Sequence, residues 1–282
     1  MNWFFYSLLG AILTAAYQLL SRALLKGKGD SLAFTFVTTV FGTLILFIFL
    51  PWERPLYSSS FSLMVVFLGL GLIYALDDWL FIRARQLEEA SKVAIAIQSN
   101  HFWSLLGGLI IFGESLTAAK LFGVSLIVLA NLAVLWQGGR PRPSRGFLLG
   151  LLAVFVFVNY SFADKTLLKI FSPGLYKLLL LSIESVWLFM FLGEGRIKRS
   201  LSEIKLQGWP IIIVGPLLSV ALYFVARAFQ AGGEASRVLP ILSLSTVLVT
   251  LGGAVLLGER GSLFKKILAA LLALVGAFLI YA

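Results

Sequence analysis

Ten apolar runs alternate with short polar breaks along the chain: residues 3–25, 31–50, 61–82, 93–112, 118–136, 146–165, 175–192, 209–229, 238–257 and 264–281. About 20 mostly apolar residues in a helix cross a hydrocarbon layer of about 30 Å. The pattern therefore predicts an all-α integral membrane protein with ten transmembrane helices. The breaks hold Lys26-Gly-Lys-Gly-Asp30, Pro51-Trp-Glu-Arg-Pro55, Arg140-Pro-Arg-Pro-Ser-Arg145 and Arg196-Ile-Lys-Arg199. Glycine, proline and charge are not left at bilayer depth without partners. No break is long enough for a soluble domain.

Composition agrees. Of the 282 residues 60% are hydrophobic and 13% charged, against about 45–50% and about 25% in soluble domains; the mean hydropathy is +0.97. The chain has no cysteine and one histidine, His101. That excludes a disulfide framework and thiolate chemistry, and it argues against a multi-histidine metal centre. No metal or other cofactor is expected. The first run lacks a basic leader and is long enough to span, so it reads as a retained helix.

The net charge of +10 sits mostly in short loops, where it orients a membrane protein, and no nucleic-acid partner is expected. Fourteen Lys and Arg are counted in or beside the loops after runs 1, 3, 5, 7 and 9 (Lys26, Lys28, Arg85, Lys92, Arg140, Arg142, Arg145, Arg196, Lys198, Arg199, Lys205, Arg260, Lys265 and Lys266), and five in or beside the loops on the other side (Arg54, Lys120, Lys169, Lys177 and Arg237). The excess makes the odd-numbered loops cytoplasmic and puts both termini outside. Trp3, Trp52, Trp136 and Trp209 lie where an interfacial aromatic belt would place them.

The chain also repeats itself. Glu89-Ala-Ser-Lys-Val93 returns as Glu234-Ala-Ser-Arg-Val238, Gly107-Gly108 as Gly252-Gly253, and Gly113-Glu114 as Gly258-Glu259, all 145 positions on. Between 89–114 and 234–259 nine of 26 positions are identical. Arg83-Ala84-Arg-Gln86 resembles Arg227-Ala228-Phe-Gln230, and Tyr17 matches Tyr160. The expectation is two five-helix units, 1–138 and 146–282. Because five is odd, the second unit enters the membrane from the opposite side. Inverted repeats of this kind are a signature of secondary transporters, whose site lies near the midplane between the repeats.

At these residues the chain resembles the EamA-type family of the drug/metabolite transporter superfamily. The resemblance rests on Ile111-Phe-Gly-Glu-Ser115 followed by Leu116-Thr117, on Leu257-Gly-Glu-Arg260, and on Ser172-Pro173 before run 7. It implies a ten-helix fold, a central cavity lined mainly by runs 1, 3, 4, 6, 8 and 9, and movement of metabolites by alternating access. The sequence departs from the family in three ways. His101 and Thr246 stand where members often carry proline, thirteen residues before the Gly-Glu glutamate. The arginine common early in run 2 is missing between Phe34 and Thr39. Members are also usually described with cytoplasmic termini, against the charge count above. Gly113, Glu114, Gly258 and Glu259 read as structural: a glycine that ends a helix, then a carboxylate that caps the next.

Ionisable groups inside apolar runs are functional candidates by default. Asp77 and Asp78 stand near the end of run 3 and are the candidates for proton coupling, which needs a carboxylate that titrates as access alternates. Tyr74, Asp78 and Arg85 share a helical face, so Asp78 is the one expected to reach the cavity; a salt bridge to Arg83 or Arg85 is the competing reading. Gln98, Asn100 and His101 lie in a polar stretch of run 4 and read as cavity wall or as interhelical hydrogen bonds. Tyr17, Asn159, Tyr160, Tyr223 and Arg227 complete the substrate-binding candidates. Glu184, central in run 7, needs a partner such as Lys165, Lys177 or a serine and reads as structural. Asp164 and Lys165 read as a local pair, and Arg22 as a snorkelling side chain.

The leading functional reading is a secondary transporter of the cell membrane, proton-coupled or exchanging, that moves or exports a small polar metabolite. The alternative within the fold is a translocase for a lipid-linked sugar or a phospholipid. A membrane-embedded enzyme is disfavoured by the lack of a nucleophile motif or a nucleotide-binding loop, and a receptor by the polar midplane in both repeats. The partners expected are the solute and membrane lipids, with homo-oligomerisation left open.

Overall fold

The computed structural model describes residues 2–52, 61–112, 117–137, 140–167, 170–232 and 235–281. Among them the chain forms twelve α-helices: α1 (Trp3–Leu25), α2 (Ser31–Leu46), α3 (Phe61–Leu87), α4 (Ala90–Ile97), α5 (Asn100–Phe112), α6 (Ala118–Leu135), α7 (Arg145–Leu167), α8 (Pro173–Phe191), α9 (Arg196–Gln207), α10 (Ile211–Gln230), α11 (Ala235–Leu256) and α12 (Leu263–Tyr281). A 3-10 turn (Phe47–Trp52) continues α2, and a two-residue antiparallel pair, Trp136–Gln137 with Arg140–Pro141, precedes α7.

Local chemistry starts and stops these helices. Asp30 caps α2, its Oδ1 accepting from Leu32 N at 3.0 Å and Ala33 N at 3.3 Å. Thr117 accepts from Lys120 N to start α6, and Ser144 from Phe147 N to start α7. Pro173 occupies the first position of α8, where its missing N–H costs nothing. Gly258 leaves α11 with φ +68°, a left-handed value that glycine adopts without strain.

Among the described residues eight helical segments are long and apolar enough to cross a membrane. Of the other two expected spans, run 4 differs for an identifiable reason. Run 4 is two helices, α4 and α5, because the chain leaves the α path at Gln98-Ser99. There Gln98 N and Ser99 N bond to carbonyls three residues back, at Ile95 and Ala96, and the Ser99 hydroxyl takes the Ala96 carbonyl as well, at 2.7 Å. Run 6 lies within α7, which extends from Arg145 to Leu167. In α3 the helix runs on to Leu87, past the predicted end at 82. Arg83, Arg85 and Gln86 are thus helical, and Arg85, counted above as a loop charge, is buried.

The helices pack as a bundle. α1 lies on α10 and α11, α3 on α7 and α8, α2 on α8 and α10, α4 on α7 and α11, and α6 on α12. Small residues set the closest approaches, as is usual where lipid supplies no hydrophobic drive between helices. A Cβ at Gly123 would stand 2.6 Å from the Gly276 carbonyl, and one at Gly276 2.5 Å from the Gly123 carbonyl. Phe4, Ile12, Phe122, Leu129, Val186, Val255 and Phe278 are exposed on the outside, the surface that faces lipid in a multi-pass membrane protein.

The loops after runs 1, 3, 5, 7 and 9 gather at one end. The Gln86 amide donates to the carbonyls of Lys28 and Gly29. Ser144 donates to Glu88, Lys266 pairs with Glu89 at 2.8 Å, Arg22 pairs with Glu259 at 3.1 Å, and Arg199 pairs with Asp30. The basic loops counted in the sequence thus form one interlocked face.

Candidate functional site

Among the described residues three polar groups lie inside the bundle. The first surrounds Asp78 on α3. Asp78 lines a small cavity of about 20 Å³ with Tyr17 of α1, Thr35, Thr38 and Thr39 of α2, and Ser219 of α10. Glu184 of α8 has no exposed surface and is within hydrogen-bonding reach of Asp78. Thr39 Oγ1 donates to Glu184 Oε1 at 3.1 Å. The cavity exists because Gly42 and Gly215 let α2 and α10 touch: a Cβ at Gly215 would stand 1.7 Å from the Thr38 carbonyl.

Arg85 turns to Tyr17 and not to the salt bridge with Asp78 that the competing reading gave it. Its Nη1 donates to the Tyr17 hydroxyl at 3.1 Å, and its guanidinium lies 4.7 Å over the Tyr17 ring, an arrangement favoured by the ring quadrupole. Arg83 donates to Gln86. Arg22 does not snorkel: it is buried, pairs with Glu259, and donates to the carbonyls of Arg85 and Gln86 at 2.8 Å each. The Glu259 carboxylate turns back to this arginine of α1 instead of capping α12. Burial, only partly offset by Arg22, holds the Glu259 carboxyl above its ordinary value. Gly113 and Glu114 lie outside the described residues, as does Glu234 of the repeated motif.

The second group joins α3, α7 and α8. Tyr160 donates to Asp77 Oδ2 at 2.8 Å, and its ring centre is 4.0 Å from that of Tyr74. Tyr74 donates to Asp164, which also accepts from Tyr176 at 2.6 Å and from Lys177 at 3.1 Å. Lys177 further donates to the Tyr74 hydroxyl at 2.6 Å. Asp164 thus pairs with Lys177, thirteen residues on, while the side chain of Lys165, its expected local partner, lies outside the described residues; Glu184 takes Asp78 and Thr39 instead of Lys177. A cavity of about 130 Å³ beside Lys177 is lined by Pro173, Ser219, Tyr223 and Phe229. Arg227 Nε donates to the Tyr223 hydroxyl at 2.9 Å.

The third group is a crossing of α4, α5 and α11. Gln98 Nε2 donates to Thr246 Oγ1. His101 Nε2 lies 3.1 Å from Gln98 Oε1 and 3.0 Å from Ser243 Oγ. Asn100 Oδ1 is buried nearby.

Of the sequence candidates, Tyr17 and Asp78 meet in the first group. Tyr74, Asp77 and Tyr160 meet in the second, and Gln98 and His101 in the third. Tyr223 and Arg227 flank the larger cavity. Asn159 is set apart: it is exposed on the outer side of α7 and its amide turns back to the Phe155 carbonyl at 2.7 Å. Sequence reading passed over Thr35, Thr38, Thr39 and Ser219, and it took Glu184 as structural. A signal was present in run 2, where hydroxyls at 35, 38, 39 and 43 fall on one helical face. Among the described residues no group of three or more His, Asp and Glu is placed to hold a metal ion.

Comparison with known proteins places this geometry. A solved crystal structure, described only as that of a protein, shares the fold at a TM-score of 0.54 and 14% identity, over 97% of this chain and 95% of that one. No curated protein matches the chain. The sequence model of the EamA-like transporter family matches residues 1–136. Over these residues, which run from α1 to the end of α6, this multi-pass membrane protein is similar to the EamA-like transporter family.

Proposed function

We propose that the chain is a secondary transporter that moves a small polar metabolite by alternating access and is built as two inverted five-helix units, 1–138 and 146–282. One observation carries the reading. Gln98 and Ser243 stand 145 positions apart, as do His101 and Thr246. Gln98 bonds to the mate of His101, and His101 bonds to the mate of Gln98. A two-fold axis produces this exchange, because a residue that meets a second residue's mate is met in turn by that residue.

Helix packing supports the same axis. With α4 and α5 counted as one span, α1 corresponds to α7, α2 to α8, α3 to α10, α4–α5 to α11, and α6 to α12. The contact of α1 with α10 is then the mate of α7 with α3, and that of α1 with α11 the mate of α7 with α4. Arg83 donates to Gln86 and Arg227 to Gln230, which are mates as well. The family match ends at residue 136, two residues before the expected end of the first unit.

Proton coupling is assigned to Asp78 with Glu184. An ionised carboxylate only accepts hydrogen bonds, so two carboxyls in contact hold a proton between them. Movement of α8 against α3 would separate the pair and release that proton. The hydroxyls of Tyr17, Thr39 and Ser219 beside them offer a polar solute partners in exchange for water. Asp77 is held by Tyr160 and plays the smaller part.

The test is a panel of metabolites in proteoliposomes, with and without a pH gradient. Gradient-driven accumulation is expected for the wild type. Asp78→Asn should abolish it while leaving solute exchange largely intact, since exchange needs no net proton movement, and Asp77→Asn should do less. Full gradient-driven accumulation by Asp78→Asn would overturn the coupling role. Absence of both uptake and exchange for the wild type across the panel would count against transport itself.

A further inference from the structure

Helix α9 is built the wrong way round for a helix on a water-facing loop. The side it turns to the protein is polar: Ser200, Glu203 and Gln207 are buried. Glu203 Oε2 accepts from Asp30 N at 2.8 Å, Gln207 donates to Glu203 Oε1 at 2.7 Å, and Arg199 Nε donates to Asp30 Oδ2 at 2.8 Å. The side it turns outward is apolar and basic. Ile197 is 64% exposed and Leu201 52%, and Trp209 just beyond the helix is 72% exposed. Between them lie Arg196, Lys198 and Lys205, all exposed.

These outward residues line a shallow depression with Gly195 and Ser202, and no carboxylate borders it. Glu203 is turned inward, and the exposed Glu194 lies outside the lining. Positions 198, 201, 202 and 205 follow helical spacing, so apolar and basic groups share one face. The Arg196 guanidinium sits 4.7 Å over the ring of Phe189 on α8. The exposed apolar surface continues from Met190 and Phe191 of α8 across α9 to Ile212 and Ile213 of α10. An outer face of this composition fits neither water nor a protein core; it matches the headgroup region of a bilayer.

We infer that the outer face of α9 is a docking site for an anionic phospholipid, with the headgroup phosphate held by Arg196, Lys198 and Lys205 and the acyl chains lying along Ile197 and Leu201. The positive excess at this end directs α9 to the cytoplasmic leaflet, which carries the anionic lipid. The inference rests on the membrane location and not on the transport reading, so either can fail without the other.

The experiment uses the detergent-purified full chain and measures bound lipid by native mass spectrometry from equal mixtures of phosphatidylglycerol and phosphatidylcholine. The wild type should retain phosphatidylglycerol selectively. The triple variant R196Q/K198Q/K205Q should bind it more weakly by on the order of a hundredfold, each basic residue near an anionic surface being worth a factor of roughly five. A control triple, K28Q/R142Q/K265Q, removes the same charge from exposed positions at the same end and should retain the lipid. Added salt should release the lipid from the wild type itself, a readout that needs no variant to fold. Equal retention by the α9 variant, equal loss in the control, insensitivity to salt, or displacement by inorganic phosphate would each overturn the assignment.

Discussion

Gln98 donates its side-chain amide to the hydroxyl of Thr246 across the crossing of α4 and α11. Thr246 is fully engaged there, since its hydroxyl also faces the Ala94 carbonyl at 3.4 Å. His101, on α5, meets α11 through Ser243 at 3.0 Å. These bonds lie where α4 gives way to α5, and they help satisfy polar groups at a helix break that lipid would leave bare.

The first prediction follows from that pair. Gln98→Ala and Thr246→Val should each destabilise the protein, and the double variant should cost less than their sum. Interhelical hydrogen bonds in membranes show coupling of about 0.6 kcal/mol on average and up to about 1.7 kcal/mol; a double-mutant cycle by chemical denaturation in detergent should fall in that interval. Strict additivity would mean the bond contributes nothing.

Close packing of α2 on α10 gives a second prediction. A Cβ at Gly215 would sit 1.7 Å from the Thr38 carbonyl, which is backbone and has nowhere to go. Gly215→Ala should force the helices apart at a cost of about 1–3 kcal/mol, the usual range for overpacking. It should also open the wall of the Asp78 cavity. Gly69 on α3 has nothing within 4 Å of a built Cβ, so Gly69→Ala should be neutral or gain a few tenths of a kcal/mol from helix propensity. Thermal melting of the two variants side by side decides it.

Topology is tested in the cysteine-free background. Ser202 on α9 belongs to the basic end, and Ala231 ends α10 at the other; both are exposed. In intact cells a membrane-impermeant thiol reagent should label A231C and leave S202C unlabelled until the membrane is opened. The reverse pattern would invert the orientation read from the charge bias.

Glu88 provides a pH prediction outside the membrane. Burial favours its neutral form, but hydrogen bonds from Ser144, Glu89 N and Lys92, together with the Lys92 charge, outweigh it and hold the carboxyl below its ordinary value. A depressed folded-state pKa contributes stability that is present above the unfolded value, about 4.3 for a glutamate, and is lost as pH falls through the folded value. Glu88→Gln should therefore melt lower than the wild type at neutral pH, and the gap should close as the solution is acidified below about pH 4. A gap independent of pH would remove the ionic part of this contact.

What the sequence alone determined is what depends on solvent and on near neighbours in the chain. Apolar runs of spanning length, charge in the breaks, the basic excess after odd-numbered runs and the 145-residue echo are all local patterns. Asp77 and Asp78 were singled out for the same reason: a charge in an apolar run is costly wherever the run ends up. What only the tertiary structure decided is who meets whom. Asp78 has Glu184 as its neighbour, 106 positions away by number, and Asp164 takes Lys177, thirteen positions on. Arg85, counted as a loop charge, lies buried on the ring of Tyr17. Asn159, polar and central in its run, faces outward because α7 turns the opposite side, with Tyr160 and Asp164, toward α3 and α8. Helical spacing says which residues share a face, but it does not say which way that face turns. In lipid, where every helix is apolar, the rotation is set by small residues that permit close approach and by polar groups that must find partners across the bundle.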